Sequence, residues 1–582
     1  MKKLLRFLKG YYKESVLAPF FKMLEAIFEL LVPIAVTVII DEGINGGNTN
    51  KIWIMCGVML ILAVVGLISA VCAQFFAAKA AVGFATKLRS ALFKKIQSFD
   101  YANTDKIGTS TLVTRMTSDV NSVQTGVNMF LRLFMRSPFI VFGAMICALI
   151  IDWNLGVIFI GVIVILAIIV FGIMLISIAL HKKTQKKLDA VVLKVRENYS
   201  GTRVVRAFNK ETEEVAEFDS KIDELTKLQR FAGRISALMN PITYLIINFA
   251  VILLIKNGAF TVNIGGITQG ELVALYNYMS QILVELIKLA SLIITLNKAA
   301  ASAHRISDVF DTPSNVGFSV DKIEYSFEDA SKDPVVVFDK VSFGYTNVAE
   351  GEENVIDSLS FSVNQGQTVG IIGGTGSGKT TLVNLLSGFY HANSGNVMVF
   401  GKNASLLTES DRKGLFGIVP QKATLFFGTI RSNLLLGKED ATDDELWTAL
   451  ELAVAKDFVE GKADKLDDIV LQSGKNFSGG QRQRLTIARA LVRKPKILIL
   501  DDSASALDYA TEAKLRENIA NLDYDPTVFV ISQRTSSIMH ADIIVVLDDG
   551  RAVGIGTHEE LLSSCEIYRE IYDSQFSEGG DR

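Results

Sequence analysis

The chain has 582 residues, 49% of them hydrophobic and 21% charged, with a mean hydropathy of +0.33. That is too apolar for an ordinary soluble enzyme and far too apolar for a disordered chain, yet the charged fraction requires a substantial water-soluble part. The balance of 59 basic against 62 acidic residues (net −3) argues against a general nucleic-acid binder, and four scattered cysteines encode neither a disulfide framework nor a zinc site.

The apolar mass is confined to roughly the first 300 residues. A helix needs about 20 residues to cross the hydrocarbon core. The segments 16–40, 52–78, 134–153, 155–180, 236–259 and 270–297 meet that requirement, the last two interrupted by polar residues. No small-residue cleavage site follows the first, so it reads as an uncleaved span. Basic residues cluster before the first span (Lys2, Lys3, Arg6, Lys9), after the second (Lys79, Lys87, Arg89) and after the fourth (Lys182, Lys183, Lys186, Lys187). The positive-inside rule then puts both termini in the cytoplasm. Two long polar connections, about 81–133 and 181–235, read as helical extensions of the spans; Leu188, Val192, Val195 and Tyr199 recur at helical spacing in the second. Lys22, Glu25 and Glu29 form one stripe of the first span, and Glu285 and Lys288 repeat an i, i+3 pairing in the sixth. A charge at membrane depth costs at least about 2.5–3.5 kcal/mol, so these should line a wet cavity, or pair with each other or near the headgroups.

The expected domains are a membrane domain over 1–308, a linker over 309–334 and a soluble domain over 335–582. In the last, short β-branched runs alternate with helical stretches, the pattern of a mostly parallel sheet flanked by helices. Gly373-Gly374-Thr375-Gly376-Ser377-Gly378-Lys379-Thr380, followed by Thr381, fits the P-loop pattern between a strand and a helix. Its glycines let backbone N–H groups close around phosphate, Lys379 would reach the β- and γ-phosphates, and Thr380 would ligate Mg2+. The run Ile497 to Leu500 delivers Asp501, a second carboxylate for Mg2+, followed by Asp502.

Ser478-Gly479-Gly480-Gln481 resembles the signature motif of ATP-binding cassette (ABC) transporters. Tyr345 stands where that family stacks an aromatic on adenine, Gln421 where it has the Q-loop (with Mg2+ reached through ATP and water), and Ser505 to Asp508 match its D-loop. Glu197 through Phe208 resembles the second coupling region of the exporter class. The resemblance implies an α-helical membrane domain of six transmembrane helices with long cytosolic extensions, fused to an α/β P-loop nucleotide-binding domain. It also implies ATP and Mg2+ as cofactors and coupling regions near 100–115 and 205–220. The chain would be half a transporter, with each ATP held between one chain's P-loop and the other's signature.

Three positions depart from the family pattern. Asp502 replaces the catalytic glutamate, Gln533 the switch-loop histidine, and Gln472 a glutamate shortly before the signature. Two of these fall on the site holding this chain's Lys379, Thr380 and Asp501, while the signature is intact. The pattern resembles the degenerate-site subunit of heterodimeric bacterial multidrug exporters. Its partner would be a second, different half-transporter with a competent glutamate and histidine, in the plasma membrane and surrounded by lipid, and its substrate a small amphipathic compound. A homodimeric lipid or peptide exporter and a regulatory nucleotide-binding subunit are the alternatives.

Overall fold

A computed structural model describes residues 2–313, 334–345 and 354–576. The chain divides into two compact units, Met1–Gln97 with Ser110–Thr312, and Ser98–Thr109 with Pro313–Arg582.

The first unit contains six helices long and apolar enough to cross a membrane: Tyr12–Ile44, Thr49–Gln97, Thr109–Ile151, Trp153–Ser200, Glu211–Asn263 and Gln269–Asp311. The second is 49 residues long, roughly 70 Å at the helical rise, against a hydrocarbon core of about 30 Å. The spans read from hydropathy are thus the apolar centres of longer helices, because the polar residues that follow keep strong helix propensity and contain no proline. The first two helices meet through small side chains: Ala18 on the first and Ala77 and Ala80 on the second are fully buried in one cluster. Asp152 ends the third helix and caps the fourth, accepting from the Leu155 N–H at 2.8 Å. The first and sixth helices are tied by Tyr278, whose hydroxyl donates to the Leu30 carbonyl at 2.8 Å, and by Asp41, which accepts from the Gly270 N–H at 2.9 Å.

One boundary lies further along the chain than expected. The sixth helix continues to Asp311, three residues into the segment read as linker, and Val309 on it is buried; residues 314–333 of that segment lie outside the described residues. The stretch near 205–220 holds the end of the short helix Thr202–Ala207, a turn at 208–210 and the start of the long return helix at Glu211. Gly201 ends the preceding helix. The face carrying Val192, Val195 and Tyr199 is helical as read; among the described residues the two valines are half-exposed and Tyr199 is 88% exposed.

The second unit is built on a six-stranded sheet in the order Arg551–Gly556, Ile543–Asp548, Thr368–Gly373, Thr527–Ile531, Ile497–Asp501, Phe416–Val419. All neighbours are parallel except the first pair. Parallel strands carry helices on both faces, which explains why Ile497–Asp501 is buried along its whole length. A four-stranded antiparallel sheet, Ile356–Val363, Val336–Phe343, Ser394–Val399 and Lys402–Asn403, completes the unit. One core joins the two sheets through Phe338, Leu382, Leu386 and Phe529.

Candidate nucleotide site

Thr368–Gly373 runs through the middle of the parallel sheet, and its carboxyl end opens into the P-loop, where open α/β sheets bind ligands. The loop turns back through Gly376 (φ +89°) and Gly378 (φ +96°), both in the left-handed region. A side chain at Gly378 would also meet Ile356 Cδ1 at 2.6 Å, whereas at Gly376 it would point into open space. Gly378 caps the helix Lys379–Leu386, so the free N–H groups of its first turn and its positive dipole end face the loop. Lys379 folds back over the loop, donating to the carbonyls of Gly373 at 2.8 Å and Gly374 at 2.6 Å. Partial burial holds its ammonium below the usual lysine range, with Asp502 and Asp501 opposing that shift.

Asp501 ends the adjacent buried strand and is 6% exposed. Burial, then the neighbouring Asp502, push its carboxyl above the usual range, while the Thr380 hydroxyl and Lys379 pull the other way. A buried carboxylate beside a second carboxylate and a hydroxyl is a hard oxygen donor set that calls for a cation. Thr380, Asp501 and Gln421 fit Mg2+ in that sense. Among the described residues no three or more His, Cys, Asp or Glu side chains are grouped to hold a metal; phosphate oxygens would share the ion's shell with these residues. When bound, the ion would neutralise phosphate charge.

Asp502 sits in the left-handed region at φ +47°, uncommon for a residue other than glycine but best tolerated by Asp and Asn. Its N–H donates to the Ile531 carbonyl at 2.9 Å, and its own carbonyl accepts from the Ser505 hydroxyl at 2.8 Å. Gln421 donates to its carboxylate at 3.3 Å. The P-loop lysine, both aspartates and the Q-loop glutamine thus converge. Tyr345 is held one helical position beyond Thr380: its hydroxyl lies 3.1 Å from Thr381 Oγ1, and its ring packs edge-on against Phe343 and Tyr390.

The remaining expected residues lie elsewhere in the unit. Ser478 caps the helix Gly479–Leu491 in a reciprocal box with Gln481: its N–H donates to Gln481 Oε1 at 3.0 Å and its hydroxyl accepts from the Gln481 N–H at 3.3 Å. Ser478 and Gly479 are exposed. Asp508 caps the helix Tyr509–Ala520 by accepting from the N–H and hydroxyl of Thr511, and these bonds hold its carboxyl below the usual range.

Two features escaped the sequence reading. The exposed switch-loop Gln533 is followed by a clamp from the C-terminal helix Glu566–Phe576: Gln575 donates to the Gln533 carbonyl and accepts from the Thr535 N–H, both at 2.8 Å. A lone glutamine near the end of the chain carries no signal of this. The second is the docking of the short helix Tyr101–Ile107, where Tyr101 stacks on Phe389 at 4.5 Å and the Tyr390 hydroxyl donates to Asp105. Burial first, then Asp105, push the Tyr390 hydroxyl's pKa up. The Tyr390 ring also touches Tyr345, so one aromatic group joins the P-loop helix to this docked segment.

A family model of the ABC transporter transmembrane region matches residues 15–286, and one of the ABC transporter itself matches residues 356–505. The ABC transporter ATP-binding protein YfiB of Bacillus subtilis is 34% identical over 580 residues, covering 100% of this chain and 99% of its own. Rv1273c of Mycobacterium tuberculosis, of the same description, is 33% identical over 575 residues, covering 98% and 97%. The solved structure of a bacterial Atm1-family ABC exporter with ATP bound superposes with a TM-score of 0.80 at 23% identity, over 99% of each chain, a likeness of fold. With a transmembrane region and an ATP-binding domain fused in one polypeptide, the chain belongs to the ABC transporter family, as an ATP-hydrolysing transporter half of the exporter type.

Proposed function

We propose that this chain is one subunit of a heterodimeric exporter of small amphipathic compounds, contributing a degenerate ATP site of its own and an intact signature to its partner's site. The observation that carries the reading is Asp502, a shortened carboxylate held in a left-handed turn beside Asp501 and within reach of Gln421. ABC exporters dimerise, and in a homodimer both sites would carry the same shortened acid and the same Gln533. A competent glutamate and histidine therefore have to come from a different chain. Lys379, Thr380, Asp501 and the P-loop backbone hold Mg-ATP; Gln421 positions water and metal; Tyr345 supports the adenine. Ser478, Gly479, Gly480 and Gln481 face the partner's γ-phosphate, with the N–H groups of Gly479 and Gly480 as donors left over from the Ser478–Gln481 box, and Asp508 fixes the loop beside them.

Under this reading residues 1–308 form the membrane domain, 309–334 the linker and 335–582 the ATP-binding domain, with the termini and the ATP-binding domain in the cytoplasm. ATP closes the two ATP-binding domains. The helices Tyr101–Ile107 and Thr202–Ala207 transmit closure to the spans, and hydrolysis at the partner's glutamate resets the cycle. The ATP at this chain's own site acts mainly as a hinge.

The test is to reconstitute this chain alone in nanodiscs and measure Mg-ATP binding beside hydrolysis. Tight binding with almost no turnover is expected. Robust, cooperative turnover from the chain alone would refute the heterodimer and leave a homodimeric exporter.

A further inference from the structure

The charges read along the first and sixth spans form a single network, and its centre is a residue the stripe did not include. Arg136, at the start of the helix Arg136–Ile151, is 6% exposed. Its guanidinium donates to Glu285 at 2.6 Å and to Glu29 at 2.5 Å, with Glu25 at 3.8 Å. Lys22 pairs with Glu25 at 2.5 Å and Lys288 with Glu285 at 2.9 Å. Three cations thus face three carboxylates, but not evenly. Glu25 and Glu285 each have a lysine of their own, and Glu285 also accepts from the Ser137 hydroxyl at 2.8 Å. Glu29 has only a share of Arg136.

Glu29 is also the carboxylate that is reachable. Its side chain is 40% exposed, against 17% for Glu25 and 3% for Glu285. It lines a cavity of about 480 Å³ between the first and sixth helices, within the size range of small-molecule sites. Val32, Pro33, Val36 and Val284 supply the apolar wall. On the same cavity, Gln281 carries a buried side-chain oxygen with no hydrogen-bond partner among the described residues. Leaving such an acceptor dry costs about 1–3 kcal/mol, so a donor belongs there.

We propose that this cavity is a binding site for an organic cation bearing N–H donors on an apolar body, a primary ammonium or guanidinium amphiphile, with Glu29 as its counterion and Gln281 as its second acceptor. The proposal rests on the reading of the chain as an exporter of amphipathic compounds and names the charge class. Arg136 keeps Glu285 and Glu25 when a ligand takes Glu29, so binding exchanges one cation for another without stranding a buried charge. Anions are disfavoured because the charged side chains lining the cavity, Glu29 and Glu285, are both carboxylates. Neutral analogues lose the ionic contact at a depth where it is poorly screened.

The ammonium could be that of a free amphiphile or of a lipid headgroup. The experiment is a fluorescence titration of the full-length chain in phosphatidylglycerol nanodiscs with dansylcadaverine, its N-acetylated neutral analogue and the anionic dansylglycine. Dansylcadaverine is expected to bind saturably, with the neutral and anionic probes at least about tenfold weaker. Glu29→Gln should weaken the ammonium probe about tenfold or more, with ATP binding and thermal unfolding reporting that the fold is intact. If Glu29→Gln does not assemble, Gln281→Leu carries the same prediction at a few-fold loss. Displacement by phosphatidylethanolamine included in the disc assigns the site to a lipid ammonium; its failure to displace assigns it to a free amphiphile, and the site stands in both cases. Equal binding of the neutral analogue, or unchanged affinity in Glu29→Gln and Gln281→Leu, overturns the proposal. Intact binding without ATP-driven probe export from proteoliposomes containing the partner would instead refute the exporter reading and leave the site.

Discussion

Restoring the family residues, Asp502→Glu with Gln533→His, should convert this chain's own site from holding ATP to hydrolysing it. Glutamate extends the carboxylate by one methylene, and a nucleophilic water misplaced by about 1 Å costs on the order of 100-fold, about 2.7 kcal/mol. Against that gain stands the backbone. Residue 502 lies at φ +47°, which a glutamate adopts less readily than an aspartate, at a cost of about 1 kcal/mol. The turn is pinned on both sides, by the Asp502 N–H on Ile531 and the Ser505 hydroxyl on the Asp502 carbonyl, so it cannot relax freely. The net expectation is a rise of about tenfold to 100-fold in turnover at this site. The assay is Mg-ATP hydrolysis and nucleotide retention in the assembled dimer, with the partner's catalytic glutamate replaced by glutamine so that only this site reports. Unchanged turnover and retention in an intact dimer would refute the assignment of these two positions as the limiting defect.

Gln575→Ala should free the switch loop, since it removes both the donor to the Gln533 carbonyl and the acceptor for the Thr535 N–H; faster amide exchange at 533–536 with ATP binding retained is expected. Tyr390→Phe removes the hydrogen bond to Asp105 but keeps the ring against Tyr345, so basal hydrolysis should persist while stimulation by transported substrate falls. Arg136→Met leaves Glu285 buried without its arginine and should lower stability by about 3–5 kcal/mol, read as thermal unfolding in nanodiscs, and Arg136→Met with Glu285→Met should recover part of it. The raised Asp501 carboxyl binds its proton more tightly folded than unfolded. The nucleotide-free fold therefore loses stability as pH rises from the ordinary carboxylate range through the folded value, whereas Mg-dependent ATP affinity, which needs the carboxylate, falls on acidification through the same window. Asp501→Asn should flatten both dependences in denaturation and equilibrium binding.

The parts of the site legible in the sequence are those where chemistry is local. The P-loop writes its strand, glycines and helix into one continuous run, and Asp501 is announced by the buried strand that delivers it. The signature helix carries its own capping box. Pairings that close across the chain left no such mark. Gln575 reaches back 42 residues to Gln533, and Tyr390 finds Asp105 at a separation of 285. Neither glutamine nor tyrosine is unusual in composition at those places. The long helices were legible because two local signals combine: hydropathy marks the lipid-facing part, and the polar stretches on either side keep helical spacing and contain no proline.

Arg136 sits between these cases. An arginine at the start of an apolar run is visible in the sequence, but the hydrophobic average of the span hides a single charge. Its carboxylates come from the first helix, 107 residues earlier, and the sixth, 149 residues later, so only the packing of three helices identifies them. The stripe Lys22, Glu25, Glu29 had two readings, a wet wall or mutual pairing, and the geometry divides them between residues. Lys22 and Glu25 pair, whereas Glu29 turns to the cavity with half an arginine to satisfy it. A stripe read as a unit cannot make that distinction. What separates the two carboxylates is which of them has a cation to itself.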